Sequence, residues 1–206
     1  MKYLQYGVNE IRYLQKRDEI LSLAIDQIGM IQRAVNPNLF EALVNAIVAQ
    51  QISSKAAATV WGRVMERFSP IQPHKLAGTP VEDIQQCGMS MRKARYIQNA
   101  AGIIDRGELN LEGLAELSDD EVVARLSSLP GIGIWTAEML MIFSMERPDV
   151  VSWSDLAIRR GMQILYGYEK LDRAQFENHR QQYSPYGSVA SLYLWRISVI
   201  PIAHHG

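Results

Sequence analysis

Two short segments hold residues whose types and spacing could do chemistry. The first is Leu129-Pro130-Gly131-Ile132-Gly133-Ile134-Trp135-Thr136-Ala137. Gly131 and Gly133 let the backbone turn tightly, and neither has a Cβ to keep another molecule at a distance. A helix begins directly after the second glycine, so its unpaired N–H groups and the positive end of its dipole point out of the turn. That is an anion site which needs no charged side chain, and a nucleic-acid phosphate would suit it. A plain helix–turn–helix corner would use the same glycines. The second segment is Val150-Val151-Ser152-Trp153-Ser154-Asp155-Leu156-Ala157-Ile158-Arg159-Arg160. Asp155 falls where a helix begins, a position at which aspartate caps the helix. A carboxylate fixed there can also stabilise a developing positive charge or orient a water.

The elements that must position these residues are helices. Leu39, Phe40, Leu43, Val44, Ile47 and Val48 recur at three and four, as do Ala56, Val60, Val64 and Phe68, the stripe of a core-facing helix. Ser118-Asp119-Asp120-Glu121 reads as a capping box, and Thr79-Pro80-Val81-Glu82 reads as a second one with Thr79 as the cap. The pattern predicts helices over about 9–28, 38–50, 53–68, 73–77, 80–86, 90–106, 111–115, 118–127, 133–145, 155–166, 172–182 and 186–198. Asp149-Val150-Val151-Ser152-Trp153 is the one plausible extended piece, and the first 35 residues read as helical. The expected fold class is all-α.

Composition bounds the rest. The chain has 206 residues, 48% hydrophobic and 21% charged, with 21 Lys plus Arg against 22 Asp plus Glu for a formal net charge of −1. It is too apolar and too evenly charged for disorder. Cys87 is the single cysteine, which excludes an internal disulfide and a four-cysteine zinc or iron–sulfur site. His74, His179, His204 and His205 show no metal-ligand spacing beyond the adjacent terminal pair. No signal peptide or membrane span is visible, so an intracellular protein is expected, in cytoplasm, nucleoid or nucleus. The balanced charge argues against a nucleic-acid partner, because such domains are usually basic.

The hairpin overrides that last inference. Leu-Pro-Gly-Ile-Gly followed by Thr-Ala at a helix start resembles the hairpin of helix–hairpin–helix DNA-binding proteins. An aspartate at a later helix start, with aromatics between, resembles the helix–hairpin–helix–Gly/Pro/Asp DNA glycosylases. Three further segments are similar to the 3-methyladenine DNA glycosylase II group. They are Ala42 to Ala57 around Gln50-Gln51, Cys87 to Ile97 with Gly88-Met89-Ser90 and Lys93-Ala94-Arg95-Tyr96, and Ser184-Pro185-Tyr186-Gly187-Ser188 through Trp195. The resemblance covers roughly residues 36–198.

This resemblance implies two helical lobes with a cleft between them. One covers about 36–148 and contains the hairpin; the other joins about 1–35 to 149–206. It implies an enzyme that flips an alkylated purine out of double-stranded DNA and hydrolyses its glycosidic bond, with Asp155 as the catalytic carboxylate. Leu129, Gly131, Ile132, Gly133 and Thr136 would meet the DNA backbone. Gln51 would fill the hole left by the flipped base, with Gln50 and Ser53 shaping that loop; a cap or a solvated loop is the other reading of these polar residues. Relatives that also nick the backbone place a lysine where Trp135 stands, so a glycosylase without lyase activity is expected. Trp135, Trp153 and Tyr186 are the candidate base-pocket aromatics, with a core position the alternative for Trp135; Trp61 and Trp195 read as packing. Arg92, Lys93 and Arg95 are either a solvated face or a phosphate contact. No cofactor is expected beyond a Na+ or K+ on hairpin carbonyls, and the protein is expected to act as a monomer. Removal of an oxidised or mismatched base, or damage binding without catalysis, are the alternatives.

Overall fold

The computed structural model describes residues 2–199; His204 and His205 lie outside the described residues. In chain order the elements are β1 (Lys2–Tyr3), α1 (Val8–Arg17), α2 (Glu19–Ile28), β2 (Ala34–Val35), α3 (Leu39–Ala49), α4 (Ser54–Phe68), α5 (Pro73–Gly78), α6 (Val81–Gln85) and α7 (Met91–Asp105). A 3-10 turn at Glu112–Glu116 follows, then α8 (Asp119–Ser127), α9 (Ile134–Phe143), α10 (Leu156–Tyr166), α11 (Arg173–Tyr183) and α12 (Gly187–Val199). The fold is all-α apart from β1 and β2, which pair antiparallel with Lys2 opposite Val35 and Tyr3 opposite Ala34. The chain divides into two compact units, Asn36–Leu140 and Met1–Val35 with Met141–Gly206. Among the described residues no helix is long and apolar enough to cross a membrane.

In the unit Asn36–Leu140, α3 buries Phe40, Leu43, Val44, Ile47 and Val48, five of the six positions its periodicity marks, with Leu39 half-buried. Helix α7 packs on α3, α5 and α6 and buries Ala94, Ile97, Ala100 and Ala101. Small alanines on that face let three neighbours approach one helix. The capping box at Ser118 forms in both directions, Ser118 accepting from Glu121 N–H and Glu121 accepting from Ser118 N–H. The expected box at Thr79 does not form. Pro80 stands at the N-cap of α6, and the Thr79 hydroxyl donates back to Lys75 O at 2.7 Å instead.

In the unit Met1–Val35 with Met141–Gly206, α12 is the central helix. Every residue from Gly187 to Leu194 is buried, as a helix surrounded on all sides requires. Gly161 of α10 lies against it, and a Cβ at that position would overlap the Leu194 carbonyl. The helix expected over 9–28 is broken at Asp18, which has extended backbone and caps α2 by accepting from Leu21 N–H at 2.8 Å. Asp18 also accepts from the Tyr166 hydroxyl at 2.5 Å, and Tyr166 meets the Tyr183 hydroxyl at 2.6 Å. The His179 ring stacks on Tyr166 at 3.7 Å and its Nε2 meets the Tyr168 hydroxyl at 3.0 Å. Burial holds the His179 pKa below its ordinary value, outweighing the opposite effect of the Asp18 carboxylate.

Two outcomes follow for stability. Gly161→Ala overpacks against a main-chain carbonyl, which costs about 1–3 kcal/mol, so the melting temperature falls by several degrees; an unchanged melting point would mean that α10 and α12 do not meet as closely as stated. His179 is neutral in the fold and takes up a proton more readily when unfolded, so stability is full above the ordinary histidine pKa of about 6.5 and is lost as pH drops through it. Melting curves from pH 7 to pH 5 should therefore fall more for the parent chain than for His179→Phe. Parallel curves would remove His179 as the cause.

Candidate active site

The hairpin is built by burying apolar residues spaced three and four apart. Leu129 and Ile132 are buried beneath the turn, and Ile132 N–H donates to Leu129 O at 3.1 Å to close it. Gly131 has φ +84°, and a Cβ there would overlap the Tyr96 ring, so glycine is required both for the conformation and for the contact. Gly133 O accepts from Ala137 N–H at 3.0 Å and opens the first turn of α9. Gly133, Ile134 and Trp135 are exposed while Thr136 is buried. The side chains of Leu129, Ile132 and Thr136 therefore hold the turn in place, and the N–H groups of Leu129 and Ile132 are spent on Leu126 O and Leu129 O. Trp135 is 47% exposed, which overturns the core reading of that residue.

The Gln50-Gln51 loop sits on the same scaffold. Gln50 is the C-cap of α3, and its side-chain Nε2 donates to Gly131 O at 2.7 Å. Gln51 has φ +55° and is exposed, as is Ile52. Ser53 caps α4 by accepting from Ala56 N–H at 3.3 Å, the capping reading of that residue. Arg92 and Arg95 are exposed, but Lys93 turns inward. Its Nζ donates to Val48 O at 2.8 Å and to Gln50 O at 2.5 Å. Burial, and then the Arg92 charge, lower the Lys93 pKa.

Asp155 is delivered by a segment outside helix and strand, with a turn at residues 153–154. Its hydrogen bonds go to the start of α12. Gly187 N–H and the Ser184 hydroxyl donate to the two oxygens of Asp149 at 3.0 and 2.6 Å. The Ser188 hydroxyl donates to Arg147 O at 2.5 Å and accepts from Val150 N–H at 3.1 Å, and the Ser191 hydroxyl donates to Val150 O at 2.9 Å. The strand-like pattern at 149–153 is thus explained by helix-end contacts. Asp155 is 6% exposed, and its Oδ1 accepts from Ala157 N–H at 2.8 Å and Ile158 N–H at 2.9 Å. Capping fixes the plane of the carboxylate, and Leu156 beside it is exposed.

The other aromatics have neighbours of their own. Trp153 meets Phe176 edge to face at 5.1 Å and lies under the guanidiniums of Arg159 at 4.9 Å and Arg173 at 5.0 Å. Tyr186 meets Tyr13 edge to face at 5.1 Å, and Trp195 lies on Phe143 at 5.4 Å. Among the described residues no three His, Cys, Asp or Glu side chains gather as a metal ion would need. Sequence reasoning missed the inward Lys93 and the role of Asp149. Lysine at the third position of a helix was the available signal, because the dipole there disfavours a cation.

The model of the HhH-GPD superfamily base excision DNA repair proteins matches residues 44–185. The chain is 34% identical over 164 residues to DNA-3-methyladenine glycosylase 1 of Schizosaccharomyces pombe, covering 77% of this chain and 72% of that protein. It is similar to the structure of a DNA-3-methyladenine glycosidase from Bacillus halodurans, with a TM-score of 0.87 and 35% identity over 97% of this chain and 93% of the other. A structure of the Schizosaccharomyces pombe 3-methyladenine DNA glycosylase in complex with abasic DNA matches at a TM-score of 0.78 and 29% identity, covering 92% and 96%. The match spans the hairpin, the Gln50-Gln51 loop and Asp155 together, and the chain belongs to the HhH-GPD superfamily of base excision DNA repair proteins.

Proposed function

We propose that this chain is a monofunctional DNA glycosylase of base excision repair. It removes alkylated purines of the 3-methyladenine and 7-methylguanine type from double-stranded DNA and leaves an abasic site. The activity class is that of the family and of the relatives' names. The observation that carries the chemistry is Asp155, a buried carboxylate locked by two main-chain N–H groups at the start of α10.

Alkylation at a purine ring nitrogen gives the base a positive charge and makes it a good leaving group. The enzyme's task is then to stabilise the cationic sugar that develops as the C1′–N bond breaks. A fixed carboxylate does this without reorganising at the moment of reaction, and it can orient the water that adds to C1′. The exposed face of Trp135 offers a surface on which a cationic base can stack. Tyr186 and Trp153 are the further aromatics that the proposal assigns to the base. The N–H groups of Gly131 and Gly133 hold a phosphate, Ile132 N–H being spent on Leu129 O, and Gln51 occupies the vacated position in the duplex. A Na+ or K+ at the hairpin would use carbonyl oxygens of the turn; Gly131 O and Leu129 O each keep one lone pair after accepting from Gln50 and Ile132. Such an ion would add positive charge beside the phosphate. The protein acts as an intracellular monomer. No lysine lies between Leu129 and Asp155, so that stretch supplies no amine to form the Schiff base that strand cleavage uses.

Asp155→Asn is a clean probe, because asparagine caps a helix as well as aspartate and removes only the charge. Release of 3-methyladenine and 7-methylguanine from methylated duplex should fall by about 100-fold or more, while binding to abasic duplex is kept. Excision at the parent rate by the variant would remove Asp155 from catalysis; no release by either protein would remove the glycosylase reading. Incubation of the parent chain with abasic duplex and borohydride should trap no covalent adduct. A trapped adduct would end the monofunctional assignment.

A further inference from the structure

Lys93 is the one member of the basic Arg92, Lys93, Arg95 group that faces inward, and its surroundings explain why. It occupies the third position of α7, whose Ser90 cap accepts from Lys93 N–H at 3.4 Å. The dipole of α7 disfavours a cation at that end, and the Arg92 charge adds to the cost. What holds the ammonium is the opposite end of another helix. Val48 O and Gln50 O belong to the last turn and cap of α3, where carbonyls lack intrahelical partners and the dipole favours positive charge.

The contact continues beyond Lys93. Lys93 grips the main chain of Gln50, and the Gln50 side chain grips Gly131 O. Gly131 in turn rests on Tyr96, three residues after Lys93 on the same face of α7. One face of one helix thereby fixes both the loop that presents Gln51 and the turn that presents the hairpin amides. Two of the three ammonium donors are spent on α3, and a side chain folded back onto those carbonyls is not extended toward a phosphate.

We infer that Lys93 is a positioning residue which, through Gln50, sets the register between the Gln51 loop and the hairpin, and that it makes no contact with the DNA backbone. The inference rests on the proposed function, since it assigns Gln51 and the hairpin to DNA. A flipped nucleotide leaves a gap at a fixed separation from the gripped phosphate. Filling the one while holding the other requires that the two elements keep their spacing, and this matters at an abasic site more than on intact duplex.

The test is binding of abasic and undamaged duplex between 50 and 200 mM salt by the parent chain, Lys93→Met, Gln50→Leu and the double variant, with melting curves for each. Either single change should weaken abasic binding about tenfold and leave undamaged binding near the parent value. The double variant should lose little more than one single variant, because both break the same connection. The slope of log K against log salt should stay at the parent value. A phosphate contact predicts instead a slope smaller by about 0.9 and equal loss on both duplexes for Lys93→Met; either result, additive losses, or no loss overturns the inference. If Lys93→Met does not fold, Gln50→Leu decides alone: it removes no charge, so unchanged abasic selectivity sinks the idea. Base release from methylated duplex by the parent chain is measured beside these. A parent chain that prefers abasic duplex and releases nothing refutes the proposed function and not the register, whereas release with unaltered selectivity in both variants refutes the register alone.

Discussion

A helix leaves its first N–H groups and its last C=O groups without partners along its own axis, and this fold places its working parts where those groups must be satisfied. At the start of α10 they are met by Asp155. At the end of α3 they are met by Lys93, and at the start of α12 by Asp149. At the start of α9 a glycine turn leaves the backbone open to solvent, with Gly133, Ile134 and Trp135 exposed. Three termini are closed by charged side chains from the chain itself, and in the proposed function the hairpin terminus takes its charge from outside.

This arrangement reconciles a net charge of −1 with membership of a DNA repair family. Anion binding by main-chain N–H groups needs no lysine or arginine, and the inward lysine of the basic group is consumed at α3. In the proposed function few phosphates are neutralised by side chains, which would make the salt dependence shallow, and the packing of Leu129 and Ile132 holds the turn whose backbone takes that charge.

What the sequence made legible was local. The α3 stripe, the Ser118 box, the hairpin and Asp155 each follow from residues a few positions apart, and a short-range pattern reports such features well. The misreadings come from hydrogen-bond partners that periodicity does not report. Asp18 interrupts a continuous apolar stripe because Tyr166, 148 positions away, supplies a second partner for its carboxylate. Thr79 has the composition of a cap, but its hydroxyl reaches Lys75 O in the preceding helix first. Residues 149–153 alternate like a strand, yet the groups that take their hydrogen bonds are serines and a glycine about 40 positions on, in the start of α12. Gln50, Lys93 and Gly131 were each visible as residues. Their connection spans 81 positions and leaves no periodic trace.

In the proposed function the two readings of Asp155, cap and catalyst, become one arrangement. A carboxylate that stabilises a cationic transition state contributes in proportion to how little it must move when charge develops. A free surface aspartate samples several rotamers and is hydrated in most of them. Two main-chain donors remove that freedom for Asp155, and the serines of α12 fix the segment that leads to it. Helix capping is thus the means by which a single negative charge is held in one place and one orientation, with the packing of α10 on α12 through Gly161 as its foundation.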